Sequence, residues 1–156
     1  MAKLVWTARL VLESFSPEEA LAAFGARLDG NSGAVVTFAG LARAQSKAGA
    51  AIATLFLEHH PRLTQQSLDH IAKAAAERFD VTAVEVIHRG GAIPPGETIV
   101  WVAAASAHRR AAFEAADYMM DRLKTEAVFW KREDGPGGSE WIEPTDADHR
   151  ERARWE

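Results

Sequence analysis

Apolar and polar residues alternate along the chain with two different periods, and the two periods predict strands and helices in a mixed order. Alternation with a period of two, or a short apolar run, predicts strands at residues 3–13, 34–41, 52–59, 81–89, 98–105, 128–132 and 139–143. Helical spacing of apolar residues predicts helices at residues 17–28, 62–79 and 107–125. This order predicts an α+β domain in which three helices pack on a mixed or antiparallel sheet.

The first two strands differ in how much of their surface should be buried. Alternation in the first strand places five residues on one buried face, namely Leu4, Trp6, Ala8, Leu10 and Leu12. Residues 34–41 are apolar or small almost throughout, which predicts a largely buried strand. The polar loop that follows, residues 43–49, is of a kind that often contacts ligands or partners.

Capping and turn signals divide the chain. Ser16 is a good N-cap, and Pro17 suits the first position of the helix that follows. Turns rich in glycine or proline are predicted at residues 29–33, 90–97 and 134–138, and the last of them would close a hairpin. We therefore assign residues 1–143 to a single domain. Residues 144–156 form a charged tail that should be surface-bound or partly disordered.

Composition narrows the class of function. The chain has 156 residues and a formal net charge of −4, which disfavours nucleic-acid binding and suggests that local basic clusters serve a small anionic ligand. No apolar run approaches the length of a membrane span and no signal-peptide segment is visible, so we expect a cytoplasmic protein. The absence of cysteine excludes a thiolate nucleophile and thiolate metal ligands. Any sulfur chemistry would need sulfur brought by another molecule.

Basic residues stand at the start of the third helix, where the helix dipole disfavours them. Ser106 is a plausible N-cap, and His108, Arg109 and Arg110 follow it. With the free amides of the first turn, these side chains would form a phosphate or carboxylate site. The alternative is that exposed basic residues begin the helix by chance.

Lys124, near the end of the same helix, has two interpretations. The predicted apolar face consists of Phe113, Ala116, Met120 and Leu123, and Lys124 lies where this face meets a charged stripe. Spacing alone favours a surface pair with Asp121, one turn earlier. The alternative is a half-buried lysine in a cationic neighbourhood with Lys131 and Arg132, which would make it a better nucleophile or proton shuttle.

The two ends of this helix are too far apart to contact one small ligand. His108 and Lys124 are sixteen residues apart, which corresponds to about 24 Å of straight helix. Either there are two anion sites, or a two-fold dimer brings His108 and Arg109 of one subunit to Lys124 of the other. Arg43 is a further candidate for anion contact, with a solvated loop charge as the alternative. The histidines show no metal-ligand spacing, and we expect neither a metal site nor a resident cofactor.

Several long stretches resemble one enzyme family. VTFAGLAR (36–43), LEHHP (57–61), VIHRGG (86–91), the block from Pro94 to Glu133 and WIE (141–143) are similar to the catalytic, large subunit of molybdopterin synthase. The resemblance covers nearly the whole chain after the first strand. It implies an α/β-hammerhead-like fold and a dimer of large subunits at the centre of a heterotetramer.

The resemblance also implies an activity and its partners. That family converts cyclic pyranopterin monophosphate into molybdopterin, in molybdenum cofactor biosynthesis, by a sulfurtransferase reaction. The sulfur arrives as a thiocarboxylate on the C-terminus of a small ubiquitin-like sulfur-carrier subunit, which agrees with the absence of cysteine here. A different class of function, a non-catalytic binding module for a phosphorylated pterin-like ligand or a partner's C-terminal tail, would use the same cationic pocket.

Matching motifs assign roles to particular residues. By resemblance, Lys124 and Lys131 are the catalytic residues, and both also bind substrate. Leu41, Ala42 and Arg43 would line the substrate pocket, and Arg132 and Glu133 would complete it. His108 and Arg109 would reach the substrate from the neighbouring subunit.

Overall fold

The structure, a computed structural model, describes residues 5–156. In chain order the elements are β1 (Trp6–Val11), α1 (Pro17–Ala26), β2 (Ala34–Leu41), β3 (Thr54–His59), α2 (Leu63–Arg78), β4 (Ala83–Arg89), β5 (Gly91–Ile93), β6 (Thr98–Ser106), α3 (Arg109–Glu126), β7 (Phe129–Gly135), β8 (Gly138–Ile142) and α4 (Asp146–Ala153). All the predicted strands and helices are present. Leu4, predicted for the first strand, lies outside the described residues. None of the helices in residues 5–156 is long and apolar enough to cross a membrane.

The strands form two four-stranded sheets. The first has the order β1-β4-β6-β2, in which β1 pairs parallel with β4 and the other pairs are antiparallel. The second is antiparallel and has the order β5-β3-β7-β8. The α+β class and the mixed or antiparallel pairing are therefore confirmed. Strand β5 was not predicted, because three residues next to glycine are too few to show a period.

The core lies on both faces of the first sheet. Val100, Val102 and Ala104 of β6 pack in a cluster with buried residues of α2 and α3. The alternate residues Trp101 and Ala103 pack on the opposite face against α1. Because both faces of β6 are covered, its sequence is apolar without alternation.

Strand β2 was predicted to be largely buried, and this prediction is wrong. The strand is at the edge of the first sheet and pairs only with β6 among the described strands. Its large side chains are exposed, with 43% of Val35, 44% of Phe38 and 55% of Leu41 accessible. An apolar run has the same sequence pattern whether its own chain or another molecule covers it, so the pattern could not place β2 at an edge.

Helix α3 begins later than predicted, and of its predicted apolar face Ala116, Met120 and Leu123 pack in the core but Phe113 does not. His108 is its N-cap, and Ser106 is instead the last, fully buried residue of β6, with its hydroxyl donating to the carbonyl of His108. The buried face comprises Ala112, Ala115, Ala116, Tyr118, Met119, Arg122 and Leu123. Phe113, assigned to the apolar face, is 59% exposed. Wheel positions alone did not show that small alanines face the sheet while the phenylalanine faces outward.

Three helices contact the sheets as predicted, and the tail adds a fourth helix, which was not predicted and packs on α3. Thr145 caps α4 in a reciprocal capping box with Asp148. Trp155 then packs edge-on against Tyr118 and Phe79, and its Nε1 donates to Asp121 at 2.7 Å. Trp155, together with ion pairs of Arg152 and Arg154 to acids of α3, therefore holds a highly charged segment against that helix. Of the two alternatives for the tail, surface-bound or partly disordered, the structure shows the first. The assignment of residues 1–143 as a separate domain stays a prediction.

Candidate active site

The inner face of β7 carries Lys131 and Glu133. In the antiparallel pairing of β7 with β3, Lys131 lies opposite Leu57, and Glu133 lies opposite Leu55. Directly opposed residues share a face of the sheet, and both leucines are buried, so the two charged side chains extend along an apolar surface. This environment half-buries Lys131.

The electrostatics of Lys131 show which groups surround it. Burial is the largest cause that lowers the pKa of Lys131 below that of an ordinary lysine. The positive charges of Lys124 and Arg43 lower this pKa further. Glu133 and Asp148 act in the opposite direction. The fold therefore gathers three predicted cations, from the end of α3, from β7 and from the loop after β2, into one cationic cluster.

Lys124 is an exposed member of this cluster. Its side chain is 60% exposed, and its Nζ lies 4.0 Å from Oδ1 of Asp148. Lys124 therefore forms a surface ion pair, as one interpretation of the sequence predicted, but its partner is Asp148 and not the predicted Asp121. Asp121 instead accepts a hydrogen bond at 2.6 Å from Arg154 of the tail.

Asp148 was not predicted, and it supplies the negative charge of the cluster. Burial alone would raise the pKa of Asp148, but hydrogen bonds with Thr145 and the charges of Lys124 and Lys47 hold it below the usual range. The carboxylate accepts the backbone N–H of Thr145 at 2.9 Å, so capping fixes its position. A Thr-x-x-Asp pattern in the sequence was the available signal.

The three residues predicted around the end of β2 contribute unequally. Ala42 is 4% exposed and packs in an apolar cluster with Leu55, Leu57 and Ile93, and Leu41 is largely exposed. The backbone of Ala42 is bonded on both sides, because its N–H donates to the carbonyl of Glu97 at 2.9 Å and its carbonyl accepts from Gly96 at 2.8 Å. Arg43 follows directly and is the member of the three that brings a charge to the cluster.

Arg132 lies on the other face of β7. Its guanidinium donates to Asp134 at 2.7 Å and lies over the rings of Phe56 and Trp141. The structure does not bring Arg132 together with Lys131. On this outer face a cavity of about 450 Å³ is lined by Glu58, His59, His60, Pro61, Trp130 and Trp141.

His108 and Arg109 lie at the opposite end of α3. With Arg110, Ala107, Gly33 and Ala34 they line a cavity of about 470 Å³. Gly33 is required here, because a Cβ at that position would lie 2.4 Å from the carbonyl oxygen of Ala107. The N-cap His108 forms no side-chain hydrogen bond to the first turn, so the cavity combines helix amides with exposed basic side chains.

A buried histidine supports the strand that carries Lys131. His88 of β4 stacks on Phe129 with 4.2 Å between ring centroids, and its Nδ1 donates to the carbonyl of Arg89 at 2.9 Å. Burial lowers the pKa of His88 to about 4. Phe129 begins β7, two residues before Lys131. In the part of the chain that the structure describes, no group of three or more histidine or carboxylate side chains could hold a metal ion.

This geometry defines an α+β protein with a cationic, lysine-containing cluster at the C-terminal end of α3. The family model described as MoaE protein matches residues 10–126, and the chain belongs to the MoaE family.

Individual relatives match this chain over most of its length and most of their own. The molybdopterin synthase catalytic subunit of Caulobacter vibrioides is 49% identical over 144 residues, which are 92% of this chain and 93% of that protein. The solved MoaE protein of Burkholderia ambifaria matches with a TM-score of 0.79 and 36% identity, over 96% of this chain and 97% of that one. The crystal structure of molybdopterin synthase from Staphylococcus aureus matches with a TM-score of 0.76 and 28% identity, over 85% and 94%. The resemblance seen in the sequence is confirmed.

Proposed function

We propose that this chain is the catalytic subunit of a molybdopterin synthase, a sulfurtransferase that converts cyclic pyranopterin monophosphate into molybdopterin. The observation that carries the proposal is the cationic cluster of Lys124, Lys131 and Arg43, which come from separate elements to one place. Relatives that share nearly half of its residues carry the name of that subunit. The cluster would hold the cyclic phosphate and stabilise negative charge as its ring opens.

Sulfur enters on a partner in this proposal, because the chain has no cysteine. The partner is a small ubiquitin-like sulfur-carrier subunit whose C-terminal thiocarboxylate reaches the cluster. Each transfer forms a carbon–sulfur bond in place of a carbon–oxygen bond of the substrate, and the displaced oxygen stays on the opened phosphate or leaves as water. Water then hydrolyses the acyl–sulfur bond, which leaves a carboxylate on the carrier and the sulfur on the substrate. Lys124, exposed at the rim, is placed to contact the carrier tail and the substrate.

Lys131 is suited to move protons in these steps. Its lowered pKa leaves a larger fraction of neutral amine near physiological pH than an ordinary lysine has. Glu133, on the same face of β7, can accept a hydrogen bond or hold water beside it. Lys124 and Lys131 are therefore the proposed catalytic residues, and Arg43 is the proposed phosphate ligand.

We also propose that the active site is completed by a second copy of the chain. Strand β2 begins beside the His108 cavity and ends two residues before Arg43, so it spans about the same distance as α3. If two β2 edges paired antiparallel about a two-fold axis, with Ala34 opposite Leu41 of the second copy, the His108 end of one chain would meet the Arg43 end of the other. This pairing would also cover the exposed Val35 and Phe38.

A substitution on β2 tests this arrangement. Phe38→Asp places charge on the proposed dimer face, and we expect it to give monomers in sedimentation velocity while circular dichroism stays unchanged. The matched control is Leu21→Asp, because Leu21 is comparably exposed on α1. A Phe38→Asp protein that sediments as the wild type does would rule out β2 as the interface.

Reconstitution tests the activity. The purified chain is mixed with the thiocarboxylated small subunit and cyclic pyranopterin monophosphate, and dithiolene product is measured. We expect molybdopterin from the wild type and none from Lys124→Ala, with the fold of the variant intact. A chain that binds both partners but yields no product would be a binding module. Near-normal turnover by Lys124→Ala would remove that lysine from the mechanism.

A further inference from the structure

Arg89, the last residue of β4, is a buried cation outside the cationic cluster. It is 6% exposed, and one end of its guanidinium donates to Oε1 of Glu97 at 2.5 Å. The other terminal nitrogen donates to the carbonyl of Ala92 at 3.3 Å, and Nε is buried without a hydrogen-bond partner among the described residues. The Glu97 side chain is 39% exposed, so desolvation of Arg89 and solvent screening of Glu97 offset most of the attraction, and the pair is weak evidence for stability. Its location suggests a geometric role instead.

The turn that Arg89 holds is the turn that fixes the residue before Arg43. Glu97 accepts the N–H of Ala42 through its backbone carbonyl, and Gly96 donates to the carbonyl of Ala42. Gly96 has a φ of +88°, which a residue with a side chain rarely adopts, so this turn has a single narrow geometry. Residue 42 is thus bonded to two consecutive turn residues, and the direction in which the chain leaves it depends on where the turn lies.

We infer that the Arg89–Glu97 ion pair positions Arg43 in the anion-binding site, so that Arg89 and Glu97 are positioning residues for substrate phosphate. The connection runs from the guanidinium to the carboxylate, along the turn, and through two backbone hydrogen bonds to Ala42. This inference rests on the proposed function for the identity of the anion, although not for the position of Arg43.

The forked guanidinium is essential to this role. One plane of nitrogens contacts both the carboxylate of Glu97 and the carbonyl of Ala92, and so joins the turn to β5. A lysine at position 89 has a single ammonium and cannot make both contacts in the same geometry. Arg89→Lys therefore keeps the charge and loses the positioning, which separates the two effects.

The kinetic test uses Glu97→Gln and Arg89→Lys in the reconstituted enzyme. We expect the KM for cyclic pyranopterin monophosphate to rise about fivefold to tenfold in both variants, while kcat stays within about twofold of the wild-type value. Arg43→Met should change KM and kcat in the same way. In the double variant Arg43→Met/Glu97→Gln, the Glu97 substitution should raise KM little beyond its value in Arg43→Met, because the arginine that it positions is already absent. Glu85→Gln is the control, since Glu85 is a buried carboxylate of β4 that pairs with a different arginine, Arg27, and it should leave KM unchanged.

A second readout does not depend on turnover. NMR titration of the Lys131 amine reports whether Arg43 is in place, because the Arg43 charge lowers the pKa of Lys131. We expect Arg43→Met, Glu97→Gln and Arg89→Lys to raise this pKa by similar amounts. If Arg43→Met raises it and the other two variants do not, the ion pair is purely structural and the inference fails. If wild-type enzyme gave no product, the same titration would still decide the positioning role, and only the proposed function would be lost.

Discussion

The two ends of α3 carry similar positive charge but are built in different ways. At the C-terminal end, Lys124 meets Lys131 and Arg43 from distant parts of the chain, and Asp148 provides a counter-charge. At the N-terminal end, His108, Arg109 and Arg110 are consecutive and exposed. Neither of these arginines forms a salt bridge with another residue in the range 5–156.

The difference supports the proposal that the C-terminal end of α3 is the catalytic site and that the N-terminal end completes the site of a second copy. Three cations placed together by long-range contacts need a precise fold, and two neighbouring carboxylates, of Glu133 and Asp148, already compensate them in part. Cations at the exposed start of a helix oppose its dipole and gain little from their own chain. They gain most when an anion or a second molecule binds there. We therefore interpret the N-terminal end as a part that serves the C-terminal site of another copy.

The largest expected effect is at the C-terminal end. Lys131→Ala should lower kcat for molybdopterin formation by a factor on the order of 10² to 10⁴, because it removes the proposed proton-transfer group. Product formed by the reconstituted enzyme is the measurement. Lys73→Ala, an exposed lysine on α2, is the control and should behave as the wild type. A loss of less than about threefold in Lys131→Ala would place proton transfer elsewhere.

Acid should weaken the same end through His88. The unfolded chain binds a proton near the ordinary histidine pKa of about 6.5, whereas the folded chain binds it only near about 4. Between these values the unfolded state holds more protons, so the free energy of unfolding falls as pH decreases through this window, by up to about 3 kcal/mol in total. Denaturant unfolding at a series of pH values measures this slope.

A variant separates the contribution of His88 from those of other groups. His88→Gln keeps a side-chain donor for the carbonyl of Arg89 and removes the titration, so the slope between pH 6.5 and 4 should decrease. His70→Gln, at an exposed position on α2, should keep the full slope. Hydrogen exchange should show β7 opening in acid before the first turn of α3. An unchanged slope in His88→Gln would contradict this account of the acid response.

At the N-terminal end, the expected effect is on binding rather than on the chemical step. Arg109→Ala should raise the KM for cyclic pyranopterin monophosphate by about tenfold to a hundredfold, because one charge-assisted contact to the substrate is lost. Arg62→Ala is a matched control, since Arg62 is an exposed arginine at the start of α2. Steady-state kinetics with saturating small subunit measure both variants. If the KM of the two variants were equal, the two ends of α3 would not share a ligand.

The smallest expected effect comes from the counter-charge at the C-terminal end. Asp148→Asn keeps an oxygen to accept the N–H of Thr145 and removes the negative charge next to Lys124. Because Lys124 is 60% exposed, solvent and salt screen the pair, and phosphate should bind only about twofold to threefold more tightly. Calorimetry with inorganic phosphate at low and high salt measures the change. Asp146→Asn in the first turn of α4 is the control, and equal gains in both variants would indicate a general charge effect.

Local chemistry was readable from the sequence where neighbouring residues determine the structure. Ser16 caps α1 through a bond from the N–H of Glu19, as its position before Pro17 predicted. The hairpin of β7 and β8 also forms at the predicted glycine-rich turn. The basic start of α3 is a run of consecutive residues in the sequence, and the exposure of these side chains is expected from their charge.

The remaining features depend on contacts between distant residues, which no local pattern contains. Whether β2 is central or at an edge depends on which strand pairs with it, so its burial was predicted wrongly. Asp148 could not be assigned to the cluster because α4 reaches Lys124 through contacts of Trp155, Arg152 and Arg154 with α3, which no local pattern shows. Arg132 was grouped with Lys131 because they are adjacent in sequence, although a strand directs neighbours to opposite faces.

Subunit complementation tests most directly whether the two ends of α3 serve one site across a dimer. Lys124→Ala and a His108→Ala/Arg109→Ala double variant are mixed under conditions that exchange subunits, and activity is measured at a substrate concentration near the wild-type KM, where each variant alone should give little or no product. A mixed dimer would contain one intact site and one doubly defective site, so an equal mixture should recover about a quarter of the wild-type activity. Differently tagged chains verify that mixed dimers form. Mixed dimers that remain inactive would contradict the shared site.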